Sequence, residues 1–133
     1  IGPSTDITRM TVMEPTDLLT AIHIPGRWAG AMGYFEKVAD RGSWDFALGN
    51  VASVLDVQNG TIFEARIVIG GAAARPLRLR RVENAIAGRP INEETLEEAG
   101  RLAVQNARPL QFNAYKVALT RNLVKRAIRD AIA

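Results

Sequence analysis

Asp17, Glu36, Asp40 and Asp45 are the carboxylates nearest the least regular segments of the chain, and no two of them have a spacing that marks a general acid and base. The single histidine, His23, sits inside the apolar run Leu18 to Ile24, where a part-buried or edge-strand histidine fits better than a catalytic one. Cysteine is absent, which removes disulfides, thiolate zinc sites, iron–sulfur ligation and cysteine nucleophiles together, and one histidine cannot build a multi-histidine metal site. Ser43 and Ser53 lack a G-x-S-x-G setting, and Gly70-Gly71 lacks the G-x-G-x-x-G spacing of a dinucleotide loop. The residues read alone point to no self-contained enzyme.

The densest mixture of chemistry is the run from Tyr34 to Ala47, which holds Tyr34, Phe35, Trp44 and Phe46 among Glu36, Lys37, Asp40, Arg41 and Asp45. One reading is structural: a strand and a loop whose aromatics fill the core and whose Arg41 pairs with Asp45. Any other role for the run is a matter of family resemblance.

Composition sets the frame for both. At 133 residues, with 47% hydrophobic and 23% charged residues, the chain is sized and balanced for one globular domain with a packed core, and no second domain is expected. The longest uncharged stretches fall well short of the roughly 20 apolar residues a membrane span needs, and nothing reads as a signal peptide, so a cytoplasmic location is expected. A chain that opens on Ile1 reads as a fragment or a processed product.

The net charge of +3 hides an asymmetry: residues 1–60 carry four basic against seven acidic residues, −3, and residues 61–133 thirteen against seven, +6. The basic residues gather at Arg75, Arg78, Arg80 and Arg81 and along Lys116, Arg121, Lys125, Arg126 and Arg129. A stand-alone nucleic-acid-binding module is the alternative this raises. Pairing with Glu83, Glu93, Glu94, Glu97 and Glu98 is the reading preferred, because no aromatics interleave the cations.

The elements that must position these residues follow from pattern and punctuation. Residues 1–16, with Pro3 and Pro15, read as an extended lead-in, and Asp17 to Ile24 as a short strand stopped by Pro25-Gly26. Strands are expected over Met32–Val38, Phe46–Val57 and Thr61–Ile69, the last two joined by Asn59-Gly60, which suits a type I′ turn. In the last strand Phe63, Ala65, Ile67 and Ile69 are expected on one face, with Glu64 and Arg66 on the other. Helices are expected from about Arg80 to Ala87, from Asn92 to before Pro109 with Leu96, Ala99, Ala103 and Ala107 on one face, and from an Asn113 cap onward. In the last of these Val117, Thr120, Leu123, Val124, Ala127, Ile128 and Ala131 form the apolar stripe. Strands first and helices after give an α+β class: an antiparallel sheet of three to four strands against about three C-terminal helices.

The run Tyr34-x-x-Lys37-x-x-x-Arg41-x-Ser43-Trp44-Asp45-Phe46-Ala47-Leu48 resembles the start of the C-terminal domain of the FAD-binding medium subunit of molybdenum hydroxylases, the xanthine dehydrogenase and carbon monoxide dehydrogenase group. Gly60-Thr61-Ile62-x-x-Ala65-Arg66-Ile67 with Gly70-Gly71, Pro76 with Arg78, Glu83-x-x-Ile86-x-Gly88, and Asn113-Ala114-Tyr115-Lys116-x-x-Leu119 with Leu123-Val124-x-Arg126-Ala127 continue the likeness in order. Upstream, Glu14-Pro15-x-Asp17-Leu18-Leu19-x-x-Ile22-x-Ile24-Pro25 resembles the segment linking that family's flavin domain to this one. Gly49-Asn50 departs from the pattern, in which a β-branched and a small residue are usual, and is expected to mark a bulge or a weakened strand.

The resemblance implies residues 1–30 as linker and short strand from a preceding flavin domain, and 31–133 as the flavoprotein C-terminal domain. It implies FAD in the full-length subunit, held weakly or not at all by this chain alone, since nothing here matches the family's glycine-rich pyrophosphate segments. Its implied partners are a large molybdopterin-binding subunit and a small subunit with two [2Fe–2S] clusters, in a heterotrimer or a dimer of heterotrimers, with no membrane or nucleic acid. Electrons would pass from those clusters to FAD, and the substrate would be chosen at the molybdenum site of another chain. By likeness Lys37 contacts the cofactor, Leu19 gives a backbone or apolar contact, Arg9 lies at a basic position, and Tyr34 and Arg41 support Lys37.

Overall fold

The computed structural model describes Asp6, Thr8, Arg9 and residues 11–132. Pro3, Ser4 and Thr5 of the expected lead-in lie outside them. Strands β1 (Met32–Val38), β2 (Gly49–Gln58), β3 (Thr61–Gly70) and β4 (Leu77–Arg78) form one antiparallel sheet in the order β1-β2-β3-β4. Helices α1 (Arg80–Ile86), α2 (Glu93–Ala103) and α3 (Tyr115–Arg129) follow in sequence and cover one face of it. This is the expected α+β arrangement.

The long hairpin turns at Asn59 and Gly60, whose φ angles of 50° and 76° match the right-handed twist of the strands on either side. Its alternation is not uniform. Between Asp56 and Val57 the register shifts, Asp56 pairing with Glu64 and Val57 with Ile62, so Phe63 is the extra residue of a bulge. One residue of slip reverses every side chain beyond it. Ile62 is therefore fully buried while Phe63, expected in the core, is 65% exposed. The bulge falls here and not at Gly49-Asn50. Gly49 opens β2 where a Cβ would come within 3.3 Å of Leu119, so its small size makes room for the leucines of α3.

The core joins Val51, Leu55, Ile62, Ala65, Ile67 and Ile69 of the sheet to Val82 and Ile86 of α1, Leu96 and Ala99 of α2, and Leu123, Val124, Ala127 and Ile128 of α3. Each fully buried leucine or isoleucine contributes about 1.5–3 kcal/mol. Ser53 is one of the few polar residues in this layer, and its hydroxyl donates to the Ala127 carbonyl at 2.9 Å, locking β2 to α3.

Helix ends show where local signals were overruled. Asn92 caps α2 as expected, its Oδ1 accepting from Thr95 N at 2.9 Å, but the helix stops at Ala103 and Ala107 lies beyond it. Asn113 does not cap α3. Its side chain accepts instead from Leu110 N at 2.6 Å, closing a turn before the helix, and Ala114 stands at the helix start without a side-chain bond. Leu18 to Ile24 forms no strand: an extended segment needs a partner strand, and none pairs with it among the described residues. His23 is accordingly exposed, not part-buried.

Candidate functional site

β1 is an edge strand whose two faces do different work. Tyr34, Glu36 and Val38 point toward the helices, whereas Phe35 and Lys37 point to the open face. On the helix side Tyr34 donates to Glu36 Oε2 at 2.9 Å, and Glu36 Oε1 meets Arg126 of α3 at 2.8 Å. Burial first, and the Glu36 carboxylate second, raise the Tyr34 phenol above its ordinary pKa, so it stays a donor. This chain of contacts fastens β1 to α3.

On the open side, Lys37 sits at the foot of the loop 39–48, which Leu48 N closes by donating to Val38 O at 2.8 Å. The loop is organised around Asp45: Lys37 Nζ donates to its carbonyl at 3.1 Å, and its carboxylate accepts from the backbone N–H of Arg41 at 3.1 Å. The Arg41 guanidinium donates to Trp44 O at 3.3 Å. Arg41 and Asp45 are thus joined through the Arg41 amide, not through the expected side-chain ion pair.

This scaffold carries Trp44 in the left-handed region, φ 52°, an unfavourable conformation for any residue with a Cβ. Trp44 and Phe46 are 96% and 94% exposed. The expectation that the run's aromatics fill the core fails for both, in a loop anchored at Asp45 and closed at Val38, and for Phe35, which β1 turns to the open face. The arrangement presents two aromatic side chains and one ammonium, with no carboxylate within salt-bridge distance of Lys37 among the described residues. Chemically this suits a flat, electron-poor or anionic ring system better than a metal. No cluster of histidine and acidic residues that could hold a metal occurs among the described residues.

The structure gathers Lys37, at the end of β1, and Arg41, in the loop that follows, and separates them from the other expected site residues. Tyr34 is on the opposite face of β1. Leu19 is exposed in the unpaired segment before the sheet, and Arg9 is engaged locally, donating to Met13 O at 2.9 Å and Glu14 Oε1 at 2.8 Å. Further along the open face the guanidinium carbons of Arg27 and Arg66 lie over the Trp28 ring, 5.2 and 5.1 Å from its centre, and both arginines reach Glu64. That stack, unremarked in the sequence because its partners are 38 residues apart, pins the turn after the lead-in to the sheet.

Part of the basic C-terminal half is engaged with acids. Lys125 reaches Glu93 and Glu97, Arg121 reaches Glu97, Arg129 reaches Glu93, and Arg78 makes a two-pronged pair with Glu83. With Arg126 to Glu36, these pairs take up five of the nine cations that suggested nucleic acid and tie α2 to α3, α1 to the sheet and α3 to β1, while Arg75, Arg80, Arg81 and Lys116 make no ion pair among the described residues. No helix of the described residues is long and apolar enough to cross a membrane.

Comparisons with known proteins accord with this geometry. Residues 34–131 match the profile described as the CO dehydrogenase flavoprotein C-terminal domain. The nicotine 6-hydroxylase medium subunit of Paenarthrobacter nicotinovorans is 32% identical over 92% of this chain and 44% of its own length. The carbon monoxide dehydrogenase medium chain of Afipia carboxidovorans is 28% identical over 92% and 44%. Among solved structures, reconstituted CO dehydrogenase from Oligotropha carboxidovorans superposes with a TM-score of 0.81 at 27% identity, covering 92% of this chain and 44% of that one. The chain thus spans less than half the length of these relatives.

Proposed function

The chain belongs to the CO dehydrogenase flavoprotein C-terminal domain family, and from that premise we propose that it completes one side of the FAD site in the flavin-binding subunit of a molybdenum hydroxylase. The observation that carries this reading is the loop 39–48, in which Lys37 is tied to the carbonyl of Asp45, the residue between the exposed Trp44 and Phe46. A cation with no ion-pair partner among the described residues and two exposed aromatics can meet a planar, charge-accepting ring, whereas no glycine-rich pyrophosphate loop occurs among the described residues.

Bound FAD would supply the electron-carrying ring, receiving electrons that originate at a molybdenum centre and pass through [2Fe–2S] clusters in partner subunits. This chain's own residues do simpler things. Lys37 holds a fixed positive charge at the site, which favours negative charge on whatever binds beside it and so raises its affinity for electrons. Asp45 and Arg41 fix the loop, Tyr34 acts at one remove by anchoring β1, and Leu19 and Arg9 lie in the segment that would lead from the flavin domain. Residues 1–30 serve as that linker and 31–133 as the domain proper, within a heterotrimer or a dimer of such trimers in the cytoplasm.

The test is Lys37→Met in the full-length subunit assembled with its partners. The expected result is a lower flavin midpoint potential or reduced FAD content, with the assembly intact. Unchanged potential and unchanged FAD content would remove Lys37 from the flavin site.

A further inference from the structure

Away from the Lys37 loop, the β3–β4 end of the sheet and the α2–α3 connection enclose a groove of about 280 Å³. Its walls are largely apolar, with Ile69, Leu77, Val104 and Val117 beside the polar Asn106, Asn113 and Thr120, and its charged lining residues are both cations, Arg108 and Lys116. No carboxylate lines it. Lys116 Nζ donates to Gly71 O at 2.9 Å, leaving two of its three donor positions for another acceptor, and Arg108 makes no ion pair among the described residues.

The connection that forms one wall is itself unusual. Between the lining residues Pro109 and Asn113 it exposes Leu110 and Phe112, 75% and 85% accessible, and Leu77 on the opposite wall is also exposed. Apolar residues displayed next to an apolar groove, rimmed by charge of a single sign, mark an interface rather than a solvated surface.

We propose that this groove docks an acidic, apolar polypeptide segment of a partner subunit. An apolar side chain of that segment enters between Ile69, Leu77, Val104 and Val117, and a neighbouring carboxylate meets Arg108 and Lys116. Charge complementarity selects this occupant: a basic segment would face two like charges, and a purely apolar one would leave both cations unanswered. The inference rests on the reading of this chain as part of a multi-subunit flavoprotein, but it concerns a surface separate from the proposed flavin corner.

The experiment uses the full-length subunit co-purified with its partner subunits. Phe112→Cys, labelled with a maleimide–benzophenone photo-cross-linker, is expected to cross-link to a partner-subunit peptide that contains Asp or Glu beside an apolar residue. Arg108→Glu is expected to weaken partner retention about tenfold, with FAD content of the subunit unchanged. Cross-links only to a second copy of this chain, only to the remainder of its own subunit, or to nothing in an intact, FAD-loaded assembly would overturn the proposal and leave the flavin reading standing. A full-length subunit that holds no FAD and joins no partner would overturn both.

Discussion

Tyr34 and Lys37 lie three residues apart on β1 and face opposite sides of the sheet, one toward α3 and the other toward the loop that carries Trp44. Their substitutions should therefore separate cleanly. Tyr34→Phe removes a hydrogen bond to Glu36 in a part-buried layer and is expected to lower unfolding stability by about 1 kcal/mol, with flavin properties unchanged. Lys37→Met removes an exposed ammonium and is expected to alter stability by less than about 0.5 kcal/mol while changing the flavin. Urea unfolding of the isolated chain, set beside the potential of the full-length subunit, checks both; a large stability loss from Lys37→Met would mean that its tie to Asp45 holds the fold.

Glu83 is 5% exposed, and its carboxylate accepts from the Arg78 guanidinium and from the Ile67 amide at 3.0 Å. Burial is the largest single influence and pushes its pKa up, but the bonds from Arg78 and Ile67 together with the charges of Arg78 and Arg66 outweigh it and hold the group below its ordinary 4.5. A depressed folded-state value means that the stabilisation is complete above about pH 4.5 and is lost as pH falls through the lower folded value. Glu83→Ala should cost about 2 to 3 kcal/mol, because Ile67 N is left unsatisfied in the core while Arg78 can still reach water. Denaturant midpoints at neutral and acidic pH should converge between wild type and Glu83→Ala as the pH drops; parallel curves would contradict the assignment.

How far the sequence foretold this molecule depends on how local each cause is. The Asn59-Gly60 turn, the Asn92 cap and the stripe of α3 are set by neighbouring residues and were legible. The burial of Ile62 in place of Phe63 was not, because the bulge depends on how β2 and β3 pair and both residues are apolar. Leu18 to Ile24 has the alternation of a strand, yet a strand exists only where another supplies hydrogen bonds. At the candidate site Lys37 and Arg41 could be singled out from their run. The outward turn of Trp44 and Phe46 could not, since it depends on how the loop 39–48 closes on Val38 and Asp45. The groove went unread although Leu110 and Phe112, apolar residues stranded between Pro109 and Asn113, were its available signal.

Glu97 joins Lys125 and Arg121 across the α2–α3 seam, and the Lys125 hydrogen bond first, then that of Arg121, lowers its pKa to about 2. Its contribution to stability is complete above the ordinary carboxylate value and disappears as pH falls toward 2. A carboxyl-detected NMR titration should place its midpoint near that value. Lys125→Met should return it toward the ordinary range, and added salt should do so in part, since the pair is half-exposed. A midpoint unaffected by Lys125→Met would show that the ion pair does not persist in solution.

Gly71 joins three parts of the fold, with φ +73° and a position where a Cβ would stand 3.2 Å from Ala47 O and 3.3 Å from Leu48 O, while its own carbonyl accepts from Lys116. Gly88 has a similar φ of +76° but open space around it. Both should resist substitution by alanine for conformational reasons, at about 1 to 2 kcal/mol each. Only Gly71→Ala adds contacts with main-chain oxygens, which cannot swing aside as a side chain would. Its loss of unfolding stability should exceed that of Gly88→Ala by about 1 kcal/mol or more. Amide NMR shifts should move at Ala47, Leu48 and Lys116 in Gly71→Ala and stay in place in Gly88→Ala. Equal costs for the two variants would mean that the loop bearing Trp44 yields freely to the added methyl, and that the turn after β3 does not hold it in position.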